Sequence, residues 1–143
     1  MEPRVSLVTL GVRDVARARR FYEEGLGWRR DAGEGDVAFY QAGGMVVALF
    51  EWPKLAEDAG VSAEGSGFRG LSLAYNCRSK DEVNAVLDEA RAAGATILVE
   101  GRDTFWGGFD GYFTDPDGHI WEVAWNPFWT MTVDGAVSLK PAE

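Results

Sequence analysis

Tyr112-Phe113-Thr114-Asp115-Pro116-Asp117-Gly118-His119-Ile120-Trp121-Glu122-Val123 reads as two strands folded about a tight turn. Proline fixes its own φ, aspartate bonds to nearby backbone, and glycine accepts positive φ, so Asp115-Pro116-Asp117-Gly118 is turn chemistry. The flanking runs, Gly111–Thr114 and His119–Trp125, are rich in aromatic and branched residues and pair as a hairpin. Strand side chains alternate, so Trp121 and Trp125 share one face and pack as core against a helix, with Trp129 continuing the spacing, while Glu122 points the other way. His119 lies an odd number of positions from Glu122, which makes it a turn residue rather than a partner of that carboxylate.

Working backwards, Thr96–Val99 is a short strand, and Val83, Val86, Leu87 and Ala90 recur at helical spacing before Gly94. Ser79-Lys80-Asp81-Glu82 opens that helix as a capping box, and Gly70–Cys77 is the strand before it. The N-terminal half repeats this order. Val5–Val12 is a strand, and Asp14 caps a helix carrying Val15, Ala18, Phe21, Tyr22 and Leu26, which ends at Gly25 and Gly27. Trp28–Arg30 is expected as a short strand; Asp36–Tyr40 and Met45–Trp52 form a hairpin around Gly43-Gly44. Residues 53–67 lose periodicity and are expected to be a linker. The chain is thus expected as one domain, 1–143, with module one at about 5–52, module two at about 68–127 and a C-terminal tail at 128–143. Aligned by strand starts, Leu7 meets Ser72; aligned by hairpin glycines, Ala48 meets Glu122. A unit this small cannot bury both its helix stripe and its sheet face, so two units pair.

Composition narrows the function classes. The chain has 143 residues and a formal charge of −9, which repels polyanions, so nucleic acid is not an expected partner. Arg13, Arg17, Arg19, Arg20, Arg29 and Arg30 are interleaved with acids and read as a solvated face. No run of about 18 apolar residues occurs, so no membrane span is expected, and a cytoplasmic location is the default. Cys77 is the single cysteine, which removes intramolecular disulfides and cysteine zinc sites, and it reads as a small buried hydrophobe. No G-x-S-x-G elbow, dinucleotide fingerprint or P-loop is present.

Three stretches together resemble the vicinal oxygen chelate family, the glyoxalase/bleomycin resistance/dioxygenase group. They are Val8–Asp14 with Phe21-Tyr22 and Leu26-Gly27-Trp28; Val86-Leu87 with Ala92-Ala93-Gly94-Ala95; and the Tyr112–Val123 hairpin. The resemblance spans about residues 5–127 and implies an α+β fold: two paired βαβββ modules whose curled mixed sheet surrounds a cup-shaped cavity. It also implies a homodimer, and in the family's enzymes one divalent metal acting as a Lewis acid on vicinal oxygens.

The family's metal positions fall at Leu7, Ala48, Ser72 and Glu122. A hydrocarbon donates nothing to a metal, a neutral hydroxyl donates poorly, and only Glu122 keeps its chemistry. The expected cofactor is therefore none, with one divalent metal ion as the alternative. The leading expectation is a small organic ligand bound in an aromatic-lined cup, with Leu7, Ala48, Ser72, Phe105, Trp106 and Tyr112 lining it and Glu122 as polar anchor or catalytic base. The acidic charge favours a cationic ligand. Two further readings stay open: a metal-dependent lyase, isomerase or dioxygenase with a site rebuilt from Glu122 and groups of the partner subunit or Asp110, Asp103 or Tyr112, and a structural subunit in which Glu122 is merely a satisfied hairpin residue. Thr104–Phe109 is read the same two ways, as pocket wall or as bulged strand entry.

Overall fold

The computed structural model describes residues 1–139; the end of the expected tail, 140–143, lies outside the described residues. The fold is α+β, and the chain divides into two compact units, the first ending at Gly70 and the second beginning at Leu71.

In the first unit, β1 (Leu7–Val12) leads through α1 (Val15–Arg19) and a π-helical continuation, Arg20–Gly25, to β2 (Val37–Ala42) and β3 (Met45–Glu51). Asp14 is the cap the sequence predicts: its Oδ1 accepts from the Arg17 N–H at 2.9 Å. β3 is central, parallel to β1 and antiparallel to β2, in the order β1-β3-β2. Gly43 turns the β2–β3 hairpin at φ +62°, a conformation that side chains with a Cβ resist. Tyr22, Tyr40, Leu10, Leu49 and Val12 are fully buried and form this unit's core.

Two expectations fail here. Trp28–Arg30 is not a strand; only Ala32 bridges to Phe39. Trp28 instead closes the helix, its N–H bonding to Tyr22 O at 2.8 Å and its ring lying 5.0 Å from Tyr22 and 5.6 Å from Tyr40. Asp31 then takes the Gln41 N–H with its side chain at 2.8 Å, a donor that a neighbouring strand's carbonyl would otherwise accept. The segment 53–67 is not all linker, since α2 (Trp52–Asp58) occupies its first half. Pro53 suits the first helical turn, and Trp52 and Leu55 lie over Gly11, where a Cβ would meet the indole at 3.3 Å.

In the second unit, β4 (Leu73–Asn76) precedes α3 (Lys80–Ala93), then come β5 (Thr96–Asp103), β6 (Phe109–Thr114) and β7 (Ile120–Trp125). The order is β4-β7-β6-β5, with β4 parallel to β7 and the others antiparallel. β5 runs past the expected Thr96–Val99 because register shifts near Val99 let its far end rejoin β6 at Arg102. The Ser79 hydroxyl accepts from the Glu82 N–H at 3.1 Å. The Glu82 carboxylate folds back to the Arg78 N–H, one residue earlier than an ideal capping box. Gly94 ends α3 at φ +104°. Val83, Leu87 and Ala90 are buried, and together such side chains contribute several kcal/mol of burial at about 1.5–3 kcal/mol for each large one. In the tail, β8 (Thr130–Met131) pairs with β9 (Val137–Ser138).

The registers bear out the internal repeat. Thr9 opposes Ala48 in the first unit, and Ala74 opposes Glu122 in the second. Leu7 precedes Thr9 by the same two positions that Ser72 precedes Ala74. The two pairings inferred from strand starts and from hairpin glycines therefore agree between the parallel ladder of the first unit and that of the second.

Candidate active site

α3 covers one face of the second unit's sheet. A Cβ on Gly111 would lie 2.5 Å from Leu87 Cδ1, so Gly111, Phe113, Trp121 and Val123 face the helix. Phe113 and Trp121 stack at 6.2 Å and 8°, which makes Trp121 the core residue its spacing predicts. By alternation, Asp110, Tyr112, Glu122 and Ala124 point to the opposite, helix-free face.

On that face Tyr112 stands directly across from Glu122, and its phenol favours the charged form of the carboxyl. Burial holds the Glu122 carboxyl above its ordinary value; the Tyr112 hydrogen bond pulls it back down, and the nearby Asp110 charge pushes it up. The Tyr112 phenol is likewise raised, first by burial and then by the Glu122 charge. Asp110 lies diagonally from Glu122, with Ala124 as its direct partner. It is only 6% exposed, and its Oδ1 has no hydrogen bond; the nearest charge is Arg102 Nε at 3.5 Å.

The other expected site residues are distributed as follows. Leu7, 44% exposed, and Ala48, fully buried, share the face of the first sheet away from α1. Ser72 is exposed and lies just before β4, in register with the Glu122 face. Phe105 is wholly exposed at the tip of the β5–β6 turn. Trp106 folds over Gly108, whose added Cβ would overlap the indole, and Thr104 closes the turn by accepting the Gly107 and Gly108 N–H groups. Locally the segment is a closed, bulged strand entry. Asp103 points to the α3 side and pairs with Lys80 at 2.6 Å, away from Glu122. His119 is in the turn, where Asp115 Oδ1 accepts its N–H at 2.8 Å. Cys77 is buried and its thiol is pushed up to about 12, which leaves it unreactive.

Sequence reasoning missed a cleft of about 320 Å³ at the end of β4 and β7, lined by Asn76, Arg78, Trp125, Asn126, Trp129 and Met131 among others. Trp129 is 46% exposed there, and Trp125 is only half-buried, so these two are not the core the even spacing suggests. Glu122 does not line this cleft.

The donor set fits a metal poorly. Among the described residues no three His, Cys, Asp or Glu side chains gather as ligands. Glu122 has beside it a phenol and one further carboxylate, and a tight transition-metal site needs more donors than these. No helix among the described residues is long and apolar enough to cross a membrane.

The sequence pattern of the Glyoxalase/Bleomycin resistance protein/Dioxygenase superfamily matches residues 4–123. The structure is similar to that of a glyoxalase-related enzyme from Fulvimarina pelagi, with 38% identity, a TM-score of 0.87, and coverage of 96% of this chain and 98% of that one. A hypothetical protein, SA1046, from S. aureus shares the fold at 20% identity and a TM-score of 0.76, covering 88% and 95% of the two chains. A lactoylglutathione lyase from Agrobacterium tumefaciens does so at 19% identity and 0.67, covering 87% and 95%. No curated protein matches the sequence significantly.

Proposed function

Because the chain belongs to the Glyoxalase/Bleomycin resistance protein/Dioxygenase superfamily, we propose that it binds a small organic molecule on the Glu122 face without a metal. The observation carrying this reading is the Tyr112–Glu122 pair: a half-buried carboxylate directly across from one phenol, with acceptor capacity left over. At the corresponding register positions, Leu7, Ala48 and Ser72 supply no metal donor set, so Glu122 acts through hydrogen bonds. Protein amide shifts followed while a library of small aromatic compounds is added test this directly. Ligands of this site perturb β6 and β7, and Glu122→Gln weakens them. Shifts confined to the cleft beside Trp129 overturn the assignment.

A second reading is favoured by the raised Glu122 carboxyl. A carboxylate held above its ordinary range is a better general base, so the face also suits proton abstraction. Lactoylglutathione lyase activity, the activity named for one structural neighbour, is the first assay, and loss of turnover in Glu122→Gln with the fold intact supports it. Pairing as a homodimer is part of the proposal, and sedimentation equilibrium tests it.

A further inference from the structure

We propose that Asp110 and Glu122 together form a seat for a protonated amine, and that the Arg102 guanidinium fills the edge of this seat until such a ligand displaces it. The inference rests on the reading of the Glu122 face given above and names the class of ligand that face takes.

Three observations carry it. First, the β6–β7 register sends both carboxylates to the helix-free face, one diagonal apart and close enough that the Asp110 charge acts on Glu122. Second, Asp110 is buried, yet its Oδ1 accepts no hydrogen bond. A buried acceptor without a donor is costly, and the cost is removed by a ligand that brings N–H groups. Third, the one cation paired with Asp110 among the described residues is poorly placed. Arg102 Nε stands at 3.5 Å, beyond a good charged hydrogen bond, and its side chain is 63% exposed. An exposed arginine held by one long contact leaves at little cost.

The chemistry then selects the ligand. Besides the Tyr112 phenol across from Glu122, this part of the face offers acceptors only: the Glu122 carboxylate and Asp110 Oδ1. An alcohol offers one hydrogen, and a carboxylate offers none and adds repulsion. An ammonium offers three hydrogens and a compensating charge, which suits two carboxylates on adjacent strands.

The test is a titration of the full chain with phenethylammonium, phenethyl alcohol and phenylacetate, followed by protein amide shifts. The ammonium binds at least about tenfold more tightly than the alcohol, and phenylacetate does not bind. Asp110→Asn abolishes the preference by weakening the ammonium far more than the alcohol. Arg102→Gln, checked by its melting temperature to be folded, tightens the ammonium by about two- to fivefold and changes the alcohol less. Survival of the preference in Asp110→Asn, or no effect of Arg102→Gln, overturns the assignment. If ammonium and alcohol bind equally and Glu122→Gln weakens both, the amine seat fails while the Glu122 site stands. If no probe perturbs β6 and β7, the Glu122 reading itself fails and the seat falls with it.

Discussion

Tyr112 and Glu122 face one another across the β6–β7 ladder, and the phenol favours the charged form of the carboxyl. This is the only one of the three influences on Glu122 that favours its charged form; burial and Asp110 both oppose it. Tyr112→Phe therefore raises the Glu122 carboxyl further. A carbon-detected NMR titration of the glutamate side chains measures this, and a midpoint unchanged from the wild type would mean that the phenol does not reach the carboxylate in solution.

The same carboxyl makes a signed prediction about stability. Its folded pKa is raised, so between its unfolded and folded values the native state binds more protons than the unfolded one. Stability therefore falls as pH rises through that window. Glu122→Gln removes this loss, and its melting temperature stands above that of the wild type at neutral pH and converges with it below the ordinary carboxylate range. Melting curves across pH check both limbs.

Glu23 behaves in the opposite sense. The Arg19 side chain, bonded at 2.9 Å, and the Tyr40 hydroxyl at 3.0 Å hold its carboxyl below the usual value against the desolvation of burial. Its contribution is present above the unfolded pKa and fades as pH falls through the folded one. Tyr40→Phe leaves a hydrogen bond unmade in the first unit's core and costs about 1 kcal/mol by urea unfolding.

Gly111→Ala is the sharpest packing test. The added Cβ would lie 2.5 Å from Leu87 Cδ1 and 2.9 Å from the Val99 carbonyl oxygen, and the backbone cannot retreat as a side chain could. Overpacking of this kind costs about 1–3 kcal/mol, read from the denaturation midpoint.

Much of this fold was legible because its signals are local. Asp14, Ser79, Gly94 and the Asp115–Gly118 turn each act through bonds to residues a few positions away, so sequence alone reveals them. The repeat was legible because a strand register shifts by whole residues, which keeps Ala48 and Glu122 at equivalent rungs. What escaped depends on contacts between distant residues. Trp28 left its expected strand for the rings of Tyr22 and Tyr40, and Trp52 found a seat over Gly11. Phe105 stands wholly exposed at a hairpin tip. Asp110 appeared only as a substitute ligand, because its buried, unbonded oxygen is a property of three-dimensional surroundings.

Elemental analysis of protein purified without chelators or an affinity tag bears most directly on whether the Glu122 face works without a metal. The residues at Leu7, Ala48 and Ser72 predict no stoichiometric zinc, nickel, manganese or iron, and no rise in melting temperature when these ions are added. One tightly held ion per chain, released by Glu122→Gln, would contradict the account.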